Sequence, residues 1–162
     1  MQFEEVRNNI KNCIEKINAA KQRAGREDEV TLIGATKTQS RELIEFIDSQ
    51  RLLTDVGENR VQELVDKYDC GKNLKWHMIG QLQTNKVKYI IDKVALVHSL
   101  DRPALADELD KQAKKHNLVI DALIEVNMGS EISKGGVDKS ELLGLLDYVE
   151  QKENVRIRGL MA

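Results

Sequence analysis

A lysine stands at the end of the first apolar segment of the chain, where its amino group could act as a nucleophile. The segment VTLIGATKTQ (residues 30–39) has the composition of a buried strand, and Lys37 falls where that strand should stop. Active-site groups of parallel α/β folds gather at the carboxyl ends of strands. A lysine held at an apolar mouth loses hydration, which favours the uncharged, nucleophilic amine. The chemistry that this position predicts is Schiff-base formation with an aldehyde.

Other polar residues follow the later strands and are expected at the same edge as Lys37. They lie in the segments GEN (57–59), HMIG (77–80), HSLD (98–101) and NM (127–128). His77 and His98 carry metal-binding nitrogens, but no third ligand occurs at a useful spacing, so no metal site is predicted. Lys86 and Lys134 also follow strand ends and are interpreted as solvated loop lysines. A Lys37 side chain that simply reaches water is the alternative to a reactive one.

Short apolar strands alternate with helical patterns along the chain. Strands are predicted to start near residues 30, 52, 74, 95, 118 and 155, and helices to span 40–50, 59–69, 84–92, 103–116 and 139–152. An amphipathic helix precedes the first strand and should end at Gly25. Ser40 and Asp101 are expected to cap the helices that follow them, with Pro103 in a first turn. This alternation predicts a parallel sheet with right-handed crossovers.

Two α/β architectures suit this alternation, an open doubly wound sheet and a (β/α)8 TIM-type barrel. The first strand is followed by KTQS and not by a glycine-rich nucleotide fingerprint, which argues against the open sheet. In VIDALIEVNM (residues 119–128) every second residue, from Ile120 to Met128, is apolar and should face the helices. The residues between them include Glu125 and Asn127, which should point into a barrel. We therefore predict the barrel. Glu125 is expected to pair with Arg158 of the neighbouring strand, because an unpaired buried ion costs several kcal/mol.

The chain is short for such a barrel. A complete barrel takes about 250 residues, whereas six predicted strands fit in the 162 residues of this chain. Six strands out of eight would leave two unpaired edges. The sequence therefore predicts one domain over residues 1–162, a TIM-type barrel truncated after the sixth strand, with an extra N-terminal helix.

The composition is that of a globular protein without a strong electrostatic signature. The 25 basic and 27 acidic residues give a formal net charge of −2, so nucleic acid or an anionic membrane surface is not an expected partner. No apolar run approaches the ~20 residues of a membrane helix, and the N-terminus lacks an apolar signal-peptide centre. The two cysteines are expected to be free thiols. A cytoplasmic location is predicted.

Six segments carry a resemblance to a known family. The segments ATKTQ, GENRVQEL, WHMIGQLQTNKVKYI, VHSLD, LIEVNMGSEISKGGV and IRGLMA, in this order, closely resemble the pyridoxal phosphate homeostasis proteins. The resemblance implies a fold like the N-terminal barrel of alanine racemase, with pyridoxal 5'-phosphate held as a Schiff base on Lys37. It also implies that Asn59 lines the cofactor side of the barrel mouth. His77 and Asn127 match motif positions near the same mouth.

The resemblance also implies segments that this chain lacks. Family members continue beyond GLMA into a seventh and an eighth strand. Their Ser-x-Gly-Met-Ser and Gly-Ser/Thr…Arg-x-Gly segments hold the phosphate and face the pyridine ring. The segment GSEISKGG (129–136) is interpreted as a βα loop and not as a replacement for them. We therefore expect these 162 residues to bind the cofactor more weakly than a protein that has both segments.

Three functions are weighed for such a protein. The first is a non-catalytic carrier that binds pyridoxal phosphate reversibly, limits its reactive aldehyde and passes it to apoenzymes, with a monomeric full-length form. The second is an alanine racemase-like enzyme acting on amino acids, and the third is a scaffold that binds no aldehyde. Racemases of this type add a β-rich domain with a catalytic tyrosine, whereas Tyr68, Tyr89 and Tyr148 all fall in predicted helices. The carrier is predicted, with no catalytic residues.

Overall fold

A parallel sheet of six strands forms the centre of the structure, a computed structural model that describes residues 2–129 and 135–162. The strands are β1 (Ile33–Ala35), β2 (Asp55–Glu58), β3 (Lys75–Met78), β4 (Val94–Leu100), β5 (Ile120–Glu125) and β6 (Val155–Met161). They lie side by side in the order in which they occur in the chain, and every neighbouring pair is parallel. A doubly wound sheet would reverse this order at a switch point, whereas a barrel wall does not. The predicted barrel-type fold is confirmed.

Helices connect the successive strands. The connecting helices are α2 (Arg41–Ser49), α3 (Val61–Lys67), α4 (Pro103–Lys115) and α5 (Leu142–Glu150), with 3₁₀ helices at Tyr68–Cys70 and Thr84–Tyr89, while α1 (Gln2–Ala24) precedes β1. Helix α1 ends before Gly25, as predicted, and the φ of +60° at this glycine explains the stop. Phe3 of α1 stacks on Phe46 of α2, with 5.0 Å between ring centroids. Within the described ranges, no helix combines the length and the apolar character needed to cross a membrane.

The predicted helix caps are partly confirmed. The Ser40 side chain accepts a hydrogen bond from the Leu43 N–H at 3.3 Å, which makes Ser40 the cap of α2. The prediction for Asp101 is wrong, because Arg102 occupies the cap position of α4 and makes no side-chain cap bond. The Asp101 carboxylate instead accepts a hydrogen bond from the Arg102 guanidinium. Pro103 is the first residue of α4, as expected.

The segment predicted as a helix over 84–92 is a 3₁₀ helix over Thr84–Tyr89 and not an α-helix. Its backbone bonds span three residues, from the Lys86 N–H to the Gln83 carbonyl and from the Ile90 N–H to the Val87 carbonyl. A three-residue period places Val87 and Ile90 on one side, where both are buried. The 3₁₀ turns therefore bury the apolar residues of the connection between β3 and β4.

Successive side chains along each strand point to opposite faces of the sheet, and the two faces differ in burial. On β5 the residues Ile120, Ala122 and Ile124 are buried, while the residues between them are partly exposed, as the parity predicted. Trp76 of β3 is 1% exposed on the helix-covered face, and its indole N–H donates to the Gly71 carbonyl at 3.3 Å. The single tryptophan of the chain is therefore a packing residue.

Strands β5 and β6 are neighbours as predicted, but the predicted pairing of Glu125 with Arg158 is wrong. The Nε atom of Arg158 lies 3.7 Å from Oδ2 of Asp121. The Glu125 carboxylate accepts a hydrogen bond from the Gln81 side-chain amide. The register between β5 and β6 explains this difference. Glu125 lies opposite Met161, three residues beyond Arg158, and the pairing of the two strands shifts between Ala122 and Leu123.

Candidate functional site

The carboxyl ends of β2, β3 and β5 surround a cavity of about 360 Å³, termed here the carboxyl-end cavity. Its wall includes Asn59 after β2, Gly80 and Gln81 after β3, and Glu125 and Asn127 at the end of β5. A small-molecule site typically has roughly 300–1,000 Å³. A larger depression of about 470 Å³ lies at the amino ends of β1 to β3, but that end of a barrel contributes stability and not chemistry. A further depression of about 480 Å³ between the end of β4 and α5 contains neither Asn59 nor Asn127. The carboxyl-end cavity contains both and is therefore the candidate site.

A close backbone contact in the cavity wall joins the loops after β2 and β3. A Cβ atom on Gly80 would lie 2.3 Å from the carbonyl oxygen and 2.7 Å from the Cα of Asn59. The Gly80 carbonyl also accepts a hydrogen bond from the Ser99 hydroxyl at 2.7 Å. Only glycine fits between these two loops without moving backbone. The position of Asn59 therefore depends on Gly80.

Lys37 lies just beyond β1, with its side chain exposed. The Thr36 N–H donates to the Gly57 carbonyl at 2.9 Å, so the parallel ladder continues one residue past the strand, and a turn closed by the Gln39 N–H follows. No residue in the described part of the chain forms a hydrogen bond or ion pair with the Lys37 ammonium. The expected position at a strand end is observed. The expected loss of hydration is not, because the side chain is exposed.

A largely buried group of charges, the Lys67 network (Glu58, Glu63 and Lys67), lies between the sheet and α3 and contacts the backbone on either side of Lys37. The Lys67 ammonium donates to Glu58 at 2.8 Å, to Glu63 at 3.2 Å and to the Thr36 carbonyl at 2.9 Å. Burial acts to lower the pKa of Lys67, but hydrogen bonds to the two carboxylates outweigh burial and the pKa is raised. Lys67 is therefore charged at neutral pH.

Lys67 is a site residue that was not predicted from the sequence. Helix α3 buries Val61, Leu64 and Lys67, which recur every three residues and share one face. A lysine on an otherwise apolar helical face is the signal that could have revealed it. A similar signal existed for Glu58. It lies two residues after Val56 on β2, so both side chains point to the same face of the sheet, and both are fully buried.

A second buried group, the histidine network (Asp55, His77 and His98), lies on the sheet face opposite to α3. Nε2 of His77 is 2.9 Å from Oδ1 of Asp55, and Nδ1 of His77 is 2.9 Å from Nε2 of His98. All three side chains are buried. Burial, followed by the influence of His77, lowers the pKa of His98 to about 4. His98 is therefore neutral at neutral pH.

The structure brings two of the four predicted cofactor residues into one cavity. Asn59 and Asn127 both line the carboxyl-end cavity. Lys37 follows β1, the neighbour of the strand that leads to Asn59, and is not part of the cavity wall. His77 belongs to the histidine network and is not among the residues of the described cavity wall. Across residues 2–129 and 135–162, no group of three His, Cys, Asp or Glu side chains is arranged so that it could hold a metal ion. The roles of these residues toward a cofactor stay predictions.

Comparisons with known proteins agree with this fold. The family model described as alanine racemase, N-terminal domain, matches residues 9–162. The alanine racemase of Clostridium difficile 630, solved in complex with cycloserine, has a TM-score of 0.69 and 13% identity, covering 94% of this chain and 39% of that one. At this identity the likeness concerns the fold alone. The class that the fold and the family model define is the alanine racemase N-terminal barrel.

Relatives with higher sequence identity identify the family within this class. The pyridoxal phosphate homeostasis protein of Aquifex aeolicus (strain VF5) is 50% identical over 156 residues, covering 94% of this chain and 68% of the relative. PipY of Synechococcus elongatus PCC7942, solved with pyridoxal phosphate bound, has a TM-score of 0.73 and 30% identity, covering 88% of this chain and 67% of that one. The chain belongs to the pyridoxal phosphate homeostasis protein family, which confirms the resemblance carried by the six segments.

Proposed function

We propose that this chain binds pyridoxal 5'-phosphate through Lys37 and acts in homeostasis of that cofactor as a reversible, non-catalytic carrier. The observation that carries the proposal is the exposed Lys37 ammonium at the end of β1, which has no partner among the described residues. When bound, the cofactor supplies an aldehyde, which condenses with a primary amine and releases one water molecule. An amine held in an ion pair could not take part without breaking that pair, whereas Lys37 is available.

The residues of the carboxyl-end cavity suit a small polar ligand. Asn59 and Asn127 would orient the cofactor with uncharged amide groups. His77 is buried on β3 outside the described cavity wall and would act on the cofactor indirectly. Gly80 keeps the loop that carries Asn59 in place, because a side chain at this position would clash with the Asn59 backbone. Residues 1–162 would serve as a single cofactor-binding domain. Apoenzymes that require the cofactor are the proposed recipients.

The positions of the tyrosines support a carrier over a racemase. Tyr68 and Tyr89 lie in the 3₁₀ helices and Tyr148 lies in α5. The Tyr148 hydroxyl donates to Asp107 of α4 at 2.8 Å. None of the three belongs to the described wall of the carboxyl-end cavity. Racemisation requires a proton donor and a proton acceptor on opposite faces of the substrate carbon. We expect no D-alanine from L-alanine beyond the rate with free pyridoxal phosphate, and a faster rate would favour the racemase.

The lysine assignment is tested by covalent trapping. After incubation with pyridoxal phosphate and borohydride reduction, peptide mapping is expected to find the label on Lys37. A Lys37→Ala variant should lose this label. A Lys86→Ala variant is the matched control, since Lys86 also follows a strand end, and it should retain the label. Label found only on Lys86 or Lys134 in the parent protein would refute the assignment.

A further inference from the structure

The backbone on both sides of Lys37 is tied to helix α3. On one side the Thr36 carbonyl accepts a hydrogen bond from the Lys67 ammonium at 2.9 Å. On the other side the Thr38 N–H donates to Oε2 of Glu63 at 2.9 Å. Lys67 also donates to the same Glu63 oxygen, so the two attachments belong to one network. Lys37 therefore stands on a short segment that is fixed at both ends.

The backbone of Thr38 is strained at this point. Its φ of +63° lies in the left-handed region, which a side chain branched at Cβ rarely adopts. Conformations of this kind persist only where surrounding contacts enforce them, and they cluster at functional sites. Glu63 supplies such a contact through the Thr38 N–H, and the Thr38 hydroxyl donates to the Lys37 carbonyl at 2.6 Å. The strain therefore lies next to the residue proposed to react.

Two members of the Lys67 network are also buried to a degree that is unusual for charged groups. Lys67 is 5% exposed and Glu58 is 0% exposed. Oε1 of Glu58 accepts hydrogen bonds from Lys67 and from the Thr36 hydroxyl, while Oε2 has no partner among the described residues. Replacing a buried ion pair by apolar residues of similar volume is often neutral or stabilising. Stability alone therefore does not account for these charges, whereas their contacts with Thr36 and Thr38 offer a specific role.

From these contacts we propose that Lys67 is a positioning residue for Lys37. Together with Glu58 and Glu63, it holds the segment from Thr36 to Thr38 so that the Lys37 amine is directed toward a bound aldehyde. This inference rests on the proposed function of Lys37. The Lys67 network makes and breaks no covalent bond, because it acts only by fixing the backbone on either side of Lys37.

Amide hydrogen exchange tests the attachment without any cofactor. The Glu63→Ala variant removes the acceptor of the Thr38 N–H, and we expect this amide to exchange at least tenfold faster. The Asp66→Ala variant is the matched control, because Asp66 lies on the same helix with its side chain 70% exposed. It should leave the exchange rate of Thr38 unchanged. Equal Thr38 rates in the parent and in Glu63→Ala would overturn the attachment.

The positioning itself is tested by the rate at which pyridoxal phosphate is trapped on Lys37 by borohydride. Lys67→Met alone would leave the Glu58 charge buried without a partner, so the test uses the double variant Lys67→Met/Glu58→Gln, which removes both charges. Circular dichroism and urea unfolding establish that this variant is folded. We expect trapping on Lys37 to be at least fivefold slower, with trapping on Lys86 in the same molecules unchanged as an internal control.

A conservative variant separates positioning from a general loss of structure. Lys67→Arg keeps the charge and the donors, and we expect its Lys37 trapping rate to be within twofold of the parent. A folded double variant that reacts as fast as the parent, or a folded Lys67→Arg variant that reacts as slowly as the double variant, would overturn the proposal. A parent protein without label on Lys37 would instead refute the proposed function, and Thr38 exchange would still report on the attachment.

Discussion

Replacing Gly80 with alanine is expected to lower the free energy of unfolding by about 3 kcal/mol, at the upper end of the usual range for overpacking. The added Cβ would meet the Asn59 backbone at 2.3 Å, and backbone atoms cannot move aside as the end of a flexible side chain can. The loop that carries Asn59 must shift, so the carboxyl-end cavity should change together with stability. Urea unfolding at neutral pH measures the loss, and the affinity for pyridoxal phosphate should fall in parallel.

Gly144 provides the matched control for this substitution. It lies within α5, and a Cβ added there would meet no atom within 4 Å. Alanine is favoured over glycine inside a helix, so Gly144→Ala should raise the free energy of unfolding by about 0.5–1 kcal/mol. Both variants add the same Cβ atom, but we expect Gly80→Ala to lower the free energy of unfolding and Gly144→Ala to raise it. A Gly80→Ala variant as stable as the parent would show that the loops after β2 and β3 are not in the described contact.

Acidification from pH 7 to pH 5 is expected to remove about 2 kcal/mol of stability through His98 alone. In the unfolded chain this histidine takes up a proton near its ordinary pKa of 6.5, whereas in the folded protein its pKa is lowered to about 4. Between these values the unfolded state binds more protons, so a falling pH stabilises the unfolded state. The loss should begin near pH 6.5 and be complete below about pH 4.

The contribution of His98 is isolated by replacing it with glutamine. The His98→Gln side chain retains an N–H that can donate to His77, but it does not titrate in this range. Urea unfolding measures the free energy of unfolding at pH 7 and at pH 5. The difference between the two values should be smaller in His98→Gln than in the parent, by about 2 kcal/mol. His116→Gln is the control, because His116 is exposed at the end of α4. An unchanged pH dependence in His98→Gln would contradict the lowered pKa.

Features that depend on the residue pattern within a single helix or strand could be predicted from the sequence. The stop at Gly25, the cap at Ser40 and the buried parity of β5 each depend on local backbone chemistry or on alternation. The strand-end positions of Lys37 and Asn59 follow from the same alternation, because the end of each apolar run marks the edge of the sheet.

Contacts between elements could not be predicted in this way. Asp55, His77 and His98 lie on three neighbouring strands, and their hydrogen bonds depend on the register between those strands. The register shifts next to His77, between Trp76 and His77, and no local sequence pattern encodes such a shift. A similar shift in the ladder of β5 and β6 accompanies the error in the predicted pairing of Glu125.

The sequential order of the strands also bears on how the chain folds. Because each strand pairs with the strand before it, every strand contact forms between adjacent βα units, and the sheet can grow in the order of synthesis. Contacts between nearby units require the closure of shorter loops than contacts between the two ends of a chain, which favours faster folding. The Gly80 contact joins two of the early units, β2 and β3. Its disruption would therefore affect the docking of β3 on β2 directly, whereas the pairing of β4, β5 and β6 with one another involves only later units.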